Sequence, residues 1–540
     1  MKIRFNAITV LVLSFFLFTG CAAKQSELGR TTSKPKNVIL IIGDGMGPEQ
    51  VGMLLTYARQ AKEPVLADRL TGFDKLMDQG GSMGLSMTYA DNVLVVDSAA
   101  SGSQMATGKF AGSEMIGLDH NGNRAETVLE RAKAAGKSTG LISDTRVTHA
   151  TPAAFAAHQA HRKMENEIAA EMLALGPDVM LGGGLRHWIP KSANDKASAV
   201  RKSLQEMTEG AVRIKSKRKD DRNLVEEAKA KGYSLAFTKG QMEAVSGKLL
   251  GLFSYSAMPD AIRVSNALDD PKRKTPTLKE MSAKAIDILS RNDNGFFLMV
   301  EAGLIDWAAH YNDAGLMLHE MMRIDETVNY VLDWAKDRDD TLVIVTADHT
   351  TGGFGFSYTG KSIPKPRSLS GEMFKDRKHK PNYNFGDPAI LDKLYAQQLS
   401  YTDIFKKFDR LSDADKTPAA LADLINEYTS FPITQTQAAR ILETEDNPIY
   451  KKGHSYLGSK TVPKLDNKDA FFVYQLYDNR QNLLALEVAS DQHVVWNTGT
   501  HTSTPVLVFS KGPGGSQVPF TGIMHHTDLG QRAMDAVTVP

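Results

Sequence analysis

The sequence predicts an α/β fold, a large mostly parallel sheet flanked by helices. From Asn37 onward, short β-rich runs alternate with amphipathic stretches of helical spacing. Several of those runs are followed at once or nearly so by acidic or histidine residues, the placement expected where ligands collect at the carboxyl ends of strands in an open sheet.

Taken in order, residues 38–42 read as a buried strand closed by Gly43, Asp44 and Gly45. Residues 125–135 read as a helix and 138–142 as the next strand. Residues 296–300 and 341–345 are further strands, leading to Glu301 and to Asp348 with His349. Two stretches read as insertions. The highly charged 191–246 has helical periodicity over 224–231 and is expected on the rim of the sheet. The longer 357–496 has proline-bounded segments, helical runs at 401–408 and 417–428 and a β-like return at 470–474, and is expected to form a crown or lid. No internal repeat or low-complexity tract is present.

Composition narrows the function classes. With 42% hydrophobic and 24% charged residues in 540, the chain can bury a large core, which excludes disorder as a global description. Its 64 basic and 63 acidic residues nearly cancel, so nothing points to a nucleic-acid partner or to an anionic membrane surface. The basic run 213–219 is expected to be a solvated loop.

At the amino terminus, Lys2 and Arg4 precede an apolar run over 8–18 that is shorter than a membrane-spanning helix. It reads as an export signal, 1–20. The run leads through Leu17, Phe18, Thr19 and Gly20 to Cys21, which resembles a bacterial lipobox with lipidation at Cys21, although Phe18 is unusual at its position. The expected location is a bacterial membrane, through that anchor alone, facing the periplasm (outer membrane or cell surface). Residues 21–36 are expected to be a linker and 37–540 the folded domain. Because Cys21 is the chain's single cysteine, no intramolecular disulfide is available, and metal ligation can supply part of the stability.

The chemistry-bearing residues are weak signals singly. Ser98, in Asp97-Ser98-Ala99-Ala100-Ser101, sits where a strand-like run at Val95 and Val96 meets residues able to open a helix, although a serine there is usually a simple cap. Asp306 and His310 are four apart, on one face of a helix, and Glu301 precedes them. Asp348 and His349 are adjacent. Asp44 lies between glycines, where a turn-forming role is the plainer reading. His501, in Gly499-Thr500-His501-Thr502, is a loop histidine until it finds partners.

Together, in this order and with His149-Ala150-Thr151-Pro152, these stretches resemble the alkaline phosphatase family over about 37–356 and again near Trp496, leaving the long insertion uncovered. The resemblance implies an alkaline-phosphatase-like fold and hydrolysis of small-molecule phosphate monoesters, with inorganic phosphate as product. It implies two Zn2+ ions, one held by Asp306, His310 and His501 and the other by Asp44, Asp348, His349 and the nucleophile Ser98. It implies one Mg2+ held by Asp44, Thr151 and Glu301. Arg162, thirteen residues beyond His149, matches the phosphate-clamping arginine. The implied reaction is an in-line displacement by Ser98, through a phosphoserine, in which the paired ions stabilise entering and leaving oxygens in turn.

Two positions depart from the best-known bacterial pattern: His149 stands for an aspartate and Trp307 for a lysine, as in other members. Both are expected beside the substrate, with weaker magnesium binding and a looser grip on product phosphate as consequences. A phosphodiesterase or phosphonate hydrolase of the same superfamily, a sulfatase, and a non-catalytic surface lipoprotein are the competing readings. Family members are often homodimers, and the long insertion is the element able to block or remake such an interface.

Overall fold

A computed structural model of the chain describes residues 34–66, 68–464, 475 and 479–538. The export signal, Cys21 and the β-like return at 470–474 lie outside the described residues. Ten strands form the main sheet: β1 (Asn37–Gly43), β2 (Ser82–Met87), β3 (Ser138–Arg146), β4 (Val179–Gly183), β5 (Ser234–Ala236), β6 (Leu249–Leu252), β7 (Phe296–Ala302), β8 (Thr341–Ala347), β9 (Val506–Lys511) and β10 (Gly522–His525). Their order is β10-β2-β9-β8-β1-β7-β3-β4-β6-β5. From β8 to β5 every neighbour is parallel, whereas β9 runs antiparallel to both β8 and β2.

The strand β1 shows why the sheet is buried on both faces. Ile39 and Ile41 join one hydrophobic cluster, and Val38, Leu40 and Ile42 join the other, each fully buried. Period-two alternation thus sends successive apolar side chains into opposite layers, each worth about 1.5–3 kcal/mol of burial. Helix α4 (Ala314–Ala335) covers the first face, while α1 (Ser98–Thr107), α2 (Ala150–Ala156) and α5 (His526–Val537) cover the second. A short helix, α3 (Leu304–His310), follows β7 and precedes α4.

Register brings the strand ends level. Gly43 pairs with Ala302 on one side and with Ala347 on the other, so Asp44, Gly303 and Asp348 emerge side by side. The strand ends lie further along than expected, at Arg146, Ala302 and Ala347 rather than 142, 300 and 345. Glu301 therefore sits within its strand. The helix expected over 125–135 is shorter, Val128–Ala134, because Thr127 and Glu130 form a capping box that starts it later.

The long insertion begins and ends at a narrow neck, where Phe354–Phe356 pairs antiparallel with Val494–Trp496. Its helices include Tyr401–Asp409, Pro418–Tyr428 and Arg480–Gln492, and their apolar faces join the same cluster as α4. The segment 191–246 carries helices Ala199–Met207 and Leu224–Ala230 and also supplies β5, the edge strand paired to β6. The basic run 213–219 is not simply solvated. Arg218 is buried, pairs with Asp220 and donates to the carbonyls of Asn166 and His187. Among the described residues, no helix is long and apolar enough to cross a membrane.

Candidate active site

Four neighbouring strands, β8, β1, β7 and β3, deliver the site at their carboxyl ends. Asp44 leaves β1 through Gly45, whose φ of +70° and closeness to Asp306 exclude a side chain: a Cβ there lies 2.9 Å from the Asp306 Cα. The Gly45 N–H donates to Asp348 Oδ1 at 3.0 Å, which binds the first strand end to the eighth.

Ser98 opens α1, but the segment before it is no strand. Val95 and Val96 lie in a loop without a ladder partner, and the cap is Asp97, whose carboxylate accepts from the N–H groups of Ala99 and Ala100. Ser98 is thereby free of capping duty. It is buried, with Oγ 3.3 Å from His349 Nε2. Asp97 also accepts from Arg162 Nη1 at 2.9 Å. Burial pushes the Asp97 carboxyl up, but the Arg162 guanidinium and the Glu114 N–H outweigh it and hold it below the usual range.

Three groups of donors converge: Asp306, His310 and His501; Asp44, Asp348 and His349; and Asp44, Glu301 and His149. Within each group, the ligand atoms lie within 4.8 Å of one another. The tautomers are decisive. A carbonyl only accepts, so His310 donates Nδ1–H to Gly499 O and His501 donates Nδ1–H to Val96 O, each at 2.7 Å. That leaves the Nε2 atoms of the two rings facing each other at 3.2 Å, with Asp306 Oδ2 3.2 Å from His310 Nε2. Two opposed nitrogen lone pairs beside a carboxylate are the arrangement a cation between them stabilises. In the second group, His349 Nε2 lies 3.4 Å from Asp44 Oδ1 and 3.3 Å from Asp348 Oδ2.

Electrostatics agree. Burial, then Asp348, Asp306 and Glu301, push the Asp44 carboxyl far up, and burial with Asp306 pushes Asp348 up to about 8. Burial takes His349 well below its ordinary value and His501 down to about 4. Both oxygens of Asp44, Asp348 Oδ2, Glu301 Oε1 and Thr151 Oγ1 are buried without a hydrogen-bond partner among the described residues. So many unsatisfied acceptors in one place fit divalent cations, which reverse this charge balance.

The third group is mostly oxygen. Glu301 Oε2 accepts from the hydroxyls of Ser143 and Thr145. The expectation placed His149 beside the magnesium and the substrate; its Nδ1 lies 3.6 Å from Glu301 Oε1 and its Nε2 accepts from Arg162 Nη2 at 3.3 Å. His149 therefore links the third donor group to the arginine. Trp307 lies edge-on to His149, with ring centroids 6.4 Å apart, on the wall of a cavity of about 460 Å³.

The structure brings Ser98, Arg162, His149, Trp307 and all the expected donors to one place. Sequence reasoning missed Thr351, Ser143, Thr145 and His526. Thr351 Oγ1 donates to Asp306 Oδ1, and buried His526 donates Nε2–H to the Asp348 carbonyl at 2.8 Å. The hydroxyls following one another in β3 were a usable signal, since polar residues at a buried strand end need a partner.

A mostly parallel sheet whose carboxyl edge gathers three groups of acidic and histidine donors, each able to hold a metal ion, beside a buried serine defines the metal-centred class of α/β hydrolases. The model of the alkaline phosphatase family matches residues 35–539, and the chain belongs to that family. Its activity is that of an alkaline phosphatase, a phosphoric monoester hydrolase. It is 33% identical to alkaline phosphatase 4 of Bacillus subtilis over 441 residues, covering 78% of this chain and 85% of that relative. The cold-active alkaline phosphatase of a psychrophilic Shewanella superposes with a TM-score of 0.65 at 25% identity, over 93% of this chain and 99% of that one. A histidine-to-aspartate mutant of TAB5 alkaline phosphatase, with magnesium in its M3 site, superposes with a TM-score of 0.57 at 20% identity, over 94% and 99%.

Proposed function

We propose that this alkaline phosphatase works through a phosphoserine on Ser98, with zinc at the two nitrogen-containing groups built on Asp306 and Asp348 and magnesium at the oxygen-rich group of Asp44, Thr151 and Glu301. The observation that carries the reading is the inward turn of the Nε2 atoms of His310, His501 and His349 beside buried carboxylates, next to the Ser98 hydroxyl. Bound there, the ions supply Lewis-acid stabilisation of entering and leaving oxygens.

The chain's own residues do the rest. Ser98 Oγ loses its proton and forms a bond to phosphorus as the ester P–O bond breaks, and the leaving oxygen takes up a proton to depart as the alcohol. Water then forms the new P–O bond as the Oγ–P bond breaks, and a proton given up by that water restores the Ser98 hydroxyl. Arg162, held from behind by Asp97, presents its guanidinium to nonbridging oxygens that stay negative throughout. His149 steadies that guanidinium on its other side. Trp307 closes the cavity without adding charge.

Export and lipid anchoring at Cys21 belong to the same proposal, supported by the leader's charge and apolar pattern. The testing experiment measures metal content and monoester turnover on one purified preparation, then restores zinc and magnesium separately after chelation. Zinc is expected to restore most turnover and magnesium to raise it further. Full turnover in the chelated, metal-free protein overturns the reading.

A further inference from the structure

The 460 Å³ cavity has two sides. One is the site above: His149, Arg162, Trp307 and His310. The other carries Arg146, Lys163 and Arg186, with Glu165 between the arginines.

These arginines are held, not waving. Arg146 Nε donates to Glu165 Oε2 at 2.7 Å, and the Thr148 hydroxyl donates to the same oxygen. Arg186 Nη2 lies 3.6 Å from Glu165 Oε1, and its Nε donates to His187 Nε2, which is therefore an unprotonated acceptor. The His187 Nδ1–H goes to Asn166 Oδ1. His187 is neutral and adds no charge.

The charges do not balance. Among the described residues lining the cavity, Arg146, Arg162, Lys163 and Arg186 stand against Glu165 alone. Asp97 offsets Arg162 from behind, which among the described residues leaves Arg146 and Arg186 sharing the Glu165 carboxylate, while Lys163 Nζ donates to Ser455 Oγ and lies over the Tyr456 ring. Burial, then the neighbouring Arg146, lower Arg186 below its ordinary value, as crowding of like charges does. The Arg146 and Arg186 side chains keep only 14% and 19% of their exposure, so water screens this excess weakly. A structural network would close on itself; this one faces a cavity shared with the nucleophile's site.

We infer that Arg146, Lys163 and Arg186 form a second anion subsite, so that the preferred substrates are phosphate monoesters whose alcohol part carries a further phosphate or carboxylate. This rests on the monoesterase function. A guanidinium fork already oriented by Glu165 binds such a group bidentately at little ordering cost, and Lys163 reaches it from the rim.

The test compares kcat/KM for propane-1,3-diol bisphosphate with propyl phosphate, and for hexane-1,6-diol bisphosphate with hexyl phosphate, in the metal-replete enzyme. Two equivalent ends alone give a ratio of about two. The subsite predicts about tenfold or more for at least one spacer, carried by KM, falling as salt is raised. In the variant Lys163→Gln with Arg186→Gln, the ratio drops toward about two. A ratio of about two for both spacers in the unaltered enzyme overturns the subsite, as does a high ratio indifferent to salt; this arm stands even if the variant misfolds. Failure to hydrolyse propyl and hexyl phosphate at all strikes the monoesterase reading instead and takes the subsite with it.

Discussion

Thr351 Oγ1 donates to Asp306 Oδ1 at 2.6 Å and lies 3.3 Å from His349 Nδ1, so one hydroxyl joins a donor of the first metal group to a donor of the second. Because the hydroxyl proton goes to the carboxylate, His349 donates Nδ1–H to Thr351 and keeps Nε2 for a metal. Thr351→Val is expected to lower zinc affinity by about ten- to a hundredfold, with Thr351→Ser restoring it. Competition against a chelator measures this; unchanged affinity in the valine variant removes the role.

Ser98→Ala is expected to abolish the phosphoenzyme and cut turnover by about a thousandfold or more. Metal content stays near that of the unaltered protein, since the other donors remain. Acid-quench trapping of labelled phosphate reads the first, and elemental analysis the second. A labelled alanine variant moves the nucleophile elsewhere.

His149→Asp replaces a neutral ring by a carboxylate beside Glu301 and Asp44. Magnesium is expected to bind about tenfold more tightly, because a hard cation gains an anionic oxygen neighbour. Titrating magnesium into metal-depleted enzyme gives the midpoint, and a midpoint that does not move refutes the charge argument.

Trp307→Lys places an ammonium on the cavity wall. Product phosphate is expected to inhibit about fivefold more strongly, as a charge-assisted contact to a dianion warrants. Steady-state inhibition by inorganic phosphate decides it.

A pH effect on stability is expected away from the metals. His319 is buried on α4, donates Nε2–H to the Tyr395 carbonyl at 2.8 Å and stacks on the Tyr395 ring. Burial chiefly, and Arg323, lower its pKa to about 4 despite that hydrogen bond. The unfolded chain, with an ordinary histidine near 6.5, binds the proton first. Its contribution to stability is therefore complete above about 6.5 and lost as pH falls toward about 4. Urea unfolding of the protein and of His319→Gln at several pH values in that window tests this: the gap between their pH slopes is expected to be positive, and parallel slopes refute it.

The parts of the site readable beforehand were those with a local signature. A strand ending in Gly43-Asp44-Gly45, the four-residue spacing of Asp306 and His310, and adjacent Asp348 and His349 announce themselves by pattern. Thr351 and His526 carry none, since their partners lie far along the chain and only the packed sheet creates the contact. Val95 and Val96 have strand propensity, yet no neighbouring strand offers them a ladder; Leu94 beside them is 82% exposed. Arg218 misled by composition, because a basic run says nothing about which of its members finds buried carbonyls.

The pairing of Thr350–Thr351 with His501–Thr502 lies next to the neck of the long insertion, with Thr351 opposite His501. Some 140 residues thus leave and re-enter the molecule at almost one point, and the histidine beyond them is aimed by a ladder that does not depend on what lies between. A change within that excursion leaves this ladder in place and reaches the donor groups instead through Asn482, whose side chain donates to the His310 carbonyl at 2.8 Å.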